Sequence, residues 1–338
     1  MILVTGGTGL LGSHLLYKLS LLNEPVRAMF RNKEKIENVK KIFSYYSSDS
    51  EQLIKKIDWC EGDLLDLYSL NEAFKNVRKI YHCAAQVSFN SNNKNQLIKD
   101  NLQGTENVVE LCLQHDVEKL CHVSSIASLG GSLNGEFIDE NSKWSSAKNH
   151  SAYSVSKFKS EMAVWRGIEE GLNAVIVNPS VILGPGLWNS GSGSLFVKAA
   201  KGMRYFTSGS TGFVDVRDVV NLMTQLMESE HNAERFVISS ENLDYADLFN
   251  MVADEIKIKR ASHEATKKML KLALYIDWLA SKLGIKKREI TEDVIRSSLT
   301  KSKYSTKKIN EAFHPTWIPI KTSIHDIAEK FKKELTIS

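Results

Sequence analysis

Short apolar runs and longer amphipathic stretches alternate along the first half of the chain. Ile2-Leu3-Val4 is apolar throughout, and a helical pattern follows from Leu11 to Leu22. Val26 to Phe30, Ile80 to Ala84, Leu120 to Ser124 and Ala174 to Val177 continue the series of short runs. Helical spacing fills Gly104 to Leu113 and Ser151 to Glu169. Apolar runs of strand length suit strands covered on both faces. Their alternation with helices predicts an α/β fold, a Rossmann-type doubly wound parallel sheet with right-handed crossovers. The pattern changes after Pro179. Leu183 to Gly193 is rich in Gly, Pro, Ser and Asn and reads as a loop. Arg235 to Ser239 reads as a last sheet strand, and the chain from Leu243 onward as mostly helical. Residues 1–182 are therefore expected to form the sheet domain, with 207–239 returning to it. Residues 183–206 and 240–338 are expected to form a smaller, mostly helical substrate lobe.

Composition narrows the class. The chain has 338 residues, 42% hydrophobic and 25% charged, which fits a globular rather than a disordered protein. The net charge of +4 is small, and its excess lies near the C-terminus, in Lys301, Lys303, Lys307, Lys308, Lys330, Lys332 and Lys333. A nucleic-acid binder would carry a denser basic patch with stacking aromatics, so none is expected. Cys60, Cys83, Cys112 and Cys121 form no CxxC pair, so no metal site is expected either. Free thiols in apolar surroundings fit a reducing, cytoplasmic compartment. Met1 leads directly into the first strand, so a secretory signal is not expected. No run reaches the roughly 18 apolar residues of a spanning helix, and no membrane partner is expected. Met269 to Ile285 comes nearest but is interrupted by Lys271, Asp277 and Lys282. It reads as an amphipathic surface helix, with an interfacial membrane role as the alternative.

Gly6-Gly7-Thr8-Gly9-Leu10-Leu11-Gly12 follows the first strand and opens the first helix. Glycines let a backbone turn sharply and approach a pyrophosphate, and the helix N-terminus offers N–H groups to the anion. Gly6, Thr8, Gly9, Leu10, Leu11 and Gly12 are the candidate dinucleotide contacts; a purely structural turn is the alternative. NAD sites usually carry an acidic residue at the end of the second strand. Here Val26-Arg27-Ala28-Met29-Phe30 ends in Arg31. A guanidinium there can grip a 2′-phosphate or stack on adenine, so NADP is expected rather than NAD. Otherwise Arg31 is simply a solvated residue at a strand end.

Tyr153 and Lys157 stand at i and i+4, on one face of the predicted helix. A phenol near pKa 10 is a poor acid–base group at neutrality, and a neighbouring ammonium lowers that value. The pair is thus a candidate general acid/base, although this spacing also arises by chance on surface helices. Ser124 and Ser125 end the run His122-Val123-Ser124, at the carboxyl edge where doubly wound folds bind ligands. A hydroxyl there can hold a substrate carbonyl, or merely form a cap or turn.

Together these residues resemble the extended short-chain dehydrogenase/reductase family, also called the NAD-dependent epimerase/dehydratase family. The likeness is carried further by Gly62-Asp63-Leu64, by His82-Cys83-Ala84-Ala85 and by Asn101-Leu102-Gln103-Gly104-Thr105-Glu106-Asn107, which looks like the family's helix start. Asn178 to Gly186 resembles the loop beside the nicotinamide, and Phe213 to Val219 a further family segment. The resemblance implies Ser125 as catalytic serine, Tyr153 as acid/base, and Lys157 as ribose contact that lowers the tyrosine pKa. It adds Asp63, Leu64, Ala84, Ala85, Gln86, Ser124, Pro179 and Ser180 as cofactor contacts. Asn101 would support the cofactor or a water, or else cap a helix. Arg31 and His82-Cys83-Ala84-Ala85-Gln86-Val87-Ser88-Phe89 look most like the dihydroflavonol reductase branch.

That resemblance implies an NADP(H)-dependent reductase of a ketone or aldehyde, with a small carbonyl or alcohol as partner. Alternatives are an NAD-dependent nucleotide-sugar epimerase or dehydratase, and a dinucleotide-sensing regulator. Tyr153 and Lys157 argue against the regulator. Nucleotide-sugar members commonly carry Arg just before the segment matching Phe213 to Val219. Here Thr211 and Gly212 stand there, with Arg204 and Arg217 as conceivable substitutes. Trp188, Phe196 and Tyr205 are expected either to line a substrate pocket or to pack. A symmetric homodimer is the default assembly.

Overall fold

A computed structural model describes residues 1–86, 94–131, 136–144, 150–189, 191–285, 288 and 290–335. Val87-Ser88-Phe89, part of one stretch quoted above, lies outside them. The chain runs β1 (Ile2–Thr5), α1 (Leu10–Ser20), β2 (Val26–Phe30), α2 (Ile36–Ser44), α3 (Ser50–Lys55), β3 (Ile57–Glu61), α4 (Leu67–Phe74), β4 (Lys79–His82), α5 (Lys94–Gln114), β5 (Lys119–Val123), α6 (Ala152–Glu169) and β6 (Ala174–Pro179). It continues β7 (Val181–Leu183), α7 (Gly193–Ala200), β8 (Tyr205–Phe206), β9 (Ser210–Asp215), α8 (Val216–Glu228), β10 (Glu234–Ile238), β11 (Glu241–Asp244) and α9 (Tyr245–Glu255). Then come β12 (His263–Glu264), α10 (Lys267–Lys282), α11 (Glu292–Leu299), α12 (Lys307–Phe313) and α13 (Ile320–Leu335).

Seven strands of the described residues form one sheet in the order β10-β6-β5-β4-β1-β2-β3. Every pairing in it is parallel. The strand order reverses between β1 and β4, the switch point where doubly wound sheets open a crevice at their carboxyl ends. Alternation within β1 explains its unbroken apolar run. Ile2 and Val4 enter one core with Leu15, Leu16 and Leu19 of α1. Leu3 enters the other, with Val108 of α5 and Val164 of α6.

Three differences from the sequence reading have physical causes. The strand β3 is an edge strand whose Asp58 and Glu61 are exposed, so it lacks the apolar run that marks a central strand. The helix α5 begins at Lys94 rather than Gly104, because its first turn is polar and the apolar spacing starts only at Leu97. Asn101 therefore sits inside α5; it is neither a helix start nor a cap. Segment 207–239 divides between two sheets. Its β10 completes the large sheet, whereas β9 joins β7 and β11 in a small one.

A third core lies beneath that small sheet. Phe213 of β9 packs there with Phe196 of α7, Leu248 and Val252 of α9, and Ile324 and Phe331 of α13. Trp188 and Phe196 both meet Phe331 edge-on or tilted, and Phe196 is fully buried. Those two aromatics therefore pack the third core. Tyr205 is 40% exposed and faces His263 and Arg204. All four cysteines are free thiols. No helix of the described residues is long and apolar enough to cross a membrane.

Candidate active site

The glycine loop is built by backbone sterics. Gly6 has φ +70°, and a Cβ there would lie 2.6 Å from the Ala84 nitrogen. A Cβ on Gly12 would lie 2.2 Å from the Gly6 carbonyl oxygen. Both positions are closed to any side chain. Gly9 is different: it is exposed, and its Cβ would meet only the Gly6 oxygen at 3.3 Å. It caps α1 without offering a side-chain acceptor, so the helix's first N–H groups face outward uncapped. Ser13 locks the turn from behind, donating to the Gly9 and Gly7 carbonyls at 2.7 and 3.1 Å. Thr8 and Leu10 are half-buried beside Gly9, and Leu11 points into the core.

Arg31, just beyond β2, faces Asp63 across the strand ends at 3.6 Å, and both side chains are largely exposed. Asp63 folds its own turn by accepting from the Leu65 N–H at 3.0 Å. Asn107 of α5 donates to the Leu64 carbonyl at 2.7 Å and fixes that turn against the helix. Beyond β4, Ala84 passes next to Gly6, and Ala85 and Gln86 follow it in the chain. Asn101 clamps this segment from α5, accepting from the Gln86 N–H at 2.8 Å and donating to the Gln86 carbonyl at 2.9 Å. Its amide also lies 3.1 Å from the Ser156 hydroxyl, one residue before Lys157.

Ser151 caps α6 by accepting from the Ser154 N–H, so the helix starts just ahead of Tyr153. Tyr153 and Lys157 share the face turned to the end of β5. The Tyr153 hydroxyl is hydrogen-bonded to Ser125; burial pushes its pKa up and that bond pulls it down. Lys157 is buried and donates to the Val123 carbonyl at 2.7 Å. Burial pushes its pKa down to about 8, against the attraction of Glu161. The i, i+4 spacing predicts that Lys157 depresses the tyrosine pKa. Here the ammonium is engaged by Val123, and the group acting downward on Tyr153 is Ser125.

Two expected cofactor contacts point elsewhere. The Ser124 hydroxyl is buried and donates to Glu161 at 2.6 Å. The Ser180 side chain packs against Gly212 of β9, while its N–H donates to Ile238 of β10 at 2.9 Å. Pro179, beside it, ends β6 at the same sheet edge.

The family model for the NAD dependent epimerase/dehydratase family matches residues 2–239. The chain belongs to that family. It is an NAD(P)-dependent oxidoreductase of the extended short-chain dehydrogenase/reductase type, and its relatives include dihydroflavonol 4-reductase-like enzymes. It is 30% identical to Sterol demethylase protein B of Methylococcus capsulatus over 246 residues, 71% of this chain and 70% of that one. It is 27% identical to a putative dihydroflavonol 4-reductase of Synechocystis over 248 residues, 71% of this chain and 68% of the relative. The crystal structure of gox2253 superposes with TM-score 0.81 at 26% identity, covering 99% of this chain and 98% of that one.

The residues of this family member fit a dinucleotide. Gly9 is exposed and puts no side chain over an uncapped helix N-terminus, which suits a pyrophosphate, and Arg31 lies exposed at the second strand end. One polar group of this family member escaped the sequence reading. Glu161 follows Lys157 at i+4, so Tyr153, Lys157 and Glu161 form one row on α6. It is fully buried, and Asn178 donates to it at 2.9 Å and Arg235 at 2.8 Å. Ser128 lies 2.6 Å from the same carboxylate and 2.7 Å from the Ser125 carbonyl. The signal was the spacing itself, but an acid in a charged helix reads as surface until the strands behind it are known.

Proposed function

We propose that this protein is an NADP(H)-dependent reductase of a ketone or aldehyde, dihydroflavonol reductase-like, working through Ser125, Tyr153 and Lys157. The observation that carries this reading is the hydrogen-bonded Tyr153–Ser125 pair, with buried Lys157 one helical turn on and bonded to the Val123 carbonyl at the end of β5. The nicotinamide, when bound, supplies the hydride. Ser125 holds the substrate oxygen by a hydrogen bond, and Tyr153 delivers the proton as negative charge develops there. Lys157 holds a positive charge beneath them and offers its remaining donors to the nicotinamide ribose. Arg31 selects the 2′-phosphate, and the open Gly9 side admits the pyrophosphate. Asn101 keeps the Gln86 segment and α6 in register.

The nucleotide-sugar reading finds less support. Thr211 is buried and Gly212 is wedged against Ser239, so neither supplies a cation. Arg217 is held by Asp215 at 2.7 Å and Asp326 at 2.8 Å. The test is a screen of carbonyl substrates followed by NADPH absorbance. On an active substrate Tyr153→Phe should lower turnover by about 10²–10⁴-fold, the usual worth of general acid/base catalysis, with little change in dinucleotide affinity. Near-native turnover in that variant would overturn the proposed mechanism.

A further inference from the structure

The helix α10 stands apart from all three of these cores. Its only fully buried side chain is Asp277, which accepts from the Ile290 N–H at 2.9 Å and so anchors the helix from within. The opposite face carries Leu272 at 60% exposure, Ile276 at 56%, Leu279 at 42% and Leu283 at 66%. These positions recur at helical spacing and make one continuous apolar row. Scattered single leucines need no explanation, but a contiguous apolar row marks a contact surface.

Charge decides what that surface fits. Lys268, Lys271 and Lys282 border the row and are exposed. Between Thr266 and Arg288 the sequence holds one acid, Asp277, and that acid is turned inward. Among the described residues the outward face is therefore apolar and cationic with no anion. Tyr275 and Trp278 lie along the cationic side, stacked on each other with centroids 5.8 Å apart, and the Lys282 ammonium sits 5.3 Å over the Trp278 ring. Aromatic rings with a polar edge, lysines with long apolar stems and a leucine row are the chemistry of a helix lying in a bilayer interface. A second copy of this chain fits poorly. Antiparallel self-pairing of α10 would set Lys268 and Lys271 against Lys282, with no carboxylate between them.

We propose that the exposed face of α10 docks on an anionic lipid surface, leucines in the acyl boundary and lysines at the headgroups. The interaction does not depend on the reductase reading. The full-length protein should float with vesicles containing phosphatidylglycerol and stay behind with pure phosphatidylcholine. Paired Leu272→Glu and Leu279→Glu should abolish flotation while leaving the melting temperature and dinucleotide binding intact, since both side chains are exposed. Each lysine reversed to glutamate should weaken binding at least about fivefold at moderate salt. Tyr153→Phe should float like the native chain, which separates this proposal from the catalytic one. Three results would overturn it: no flotation with anionic vesicles at low salt, flotation that the leucine variants leave unchanged, or an oligomer in light scattering that those variants dissolve.

Discussion

At Lys157 two opposing effects meet. Burial disfavours the ammonium, and the Glu161 carboxylate one helical turn on favours it, leaving a pKa of about 8. If the proposed chemistry needs the charged lysine, activity should fall on the alkaline side near that value. Glu161→Gln keeps the shape and removes the charge, so the alkaline limb should move to lower pH. The same change should lower thermal stability, because Arg235 loses its buried partner. A purely structural role for Glu161 would reduce stability and leave the pH limb in place. Arg31 allows a second residue-scale test. Arg31→Asp puts a carboxylate where a 2′-phosphate would sit, so calorimetry should find NADPH affinity falling and NADH affinity rising. Equal affinity of the native chain for both cofactors would remove the basis for proposing NADP.

At the scale of elements, the loop from β1 into α1 separates two kinds of glycine. Gly12→Ala drives a Cβ into the Gly6 carbonyl oxygen, which is backbone and cannot swing away. That variant should melt earlier and express poorly. Gly9→Val puts a branched side chain over the helix N-terminus, its Cβ 3.3 Å from the Gly6 carbonyl oxygen. It should keep the native melting temperature and lose dinucleotide binding. A Gly9→Val protein that still binds dinucleotide at native affinity would mean that the loop serves only as a turn. The glycine spacing and the Tyr153, Lys157 row were readable from the sequence, because each depends on a local period. The clamp of Asn101 on Gln86 was not, because its partners lie 15 residues apart in sequence on different elements.

For the whole molecule, buried histidines should dominate the acid side of stability. Burial lowers the pKa of His14 to about 4 and of His82 to about 3, and pushes His122 well down. Between those values and the ordinary 6.5 the unfolded chain binds more protons than the folded one, so stability falls as pH falls. For His14 alone the full effect is about 3 kcal/mol. Asp218 acts oppositely, since burial raises its pKa to about 6 and its contribution grows as pH falls toward 3.8. Glu140 is raised by burial as Asp218 is, and His150 is lowered like the other three histidines. The lowered histidines outnumber the raised carboxyls, so the melting temperature should drop between about pH 6.5 and pH 4. Melts followed by circular dichroism across that range check this; a flat profile would contradict it.

The sequence by itself determined the parallel strands, the glycine loop and the helix that carries Tyr153 and Lys157. Each is specified by contacts between near neighbours: an apolar run, a turn that only glycine permits, a spacing of four. Tertiary structure decided what no local pattern contains. It gave β3 its edge position, drew Trp188 and Phe196 into a third core, and buried Glu161 behind Ser124 and Ser128. It also turned Asp277 inward and left the leucines and lysines of α10 facing out. Burial depends on which surfaces meet, and those surfaces come from segments far apart in the chain.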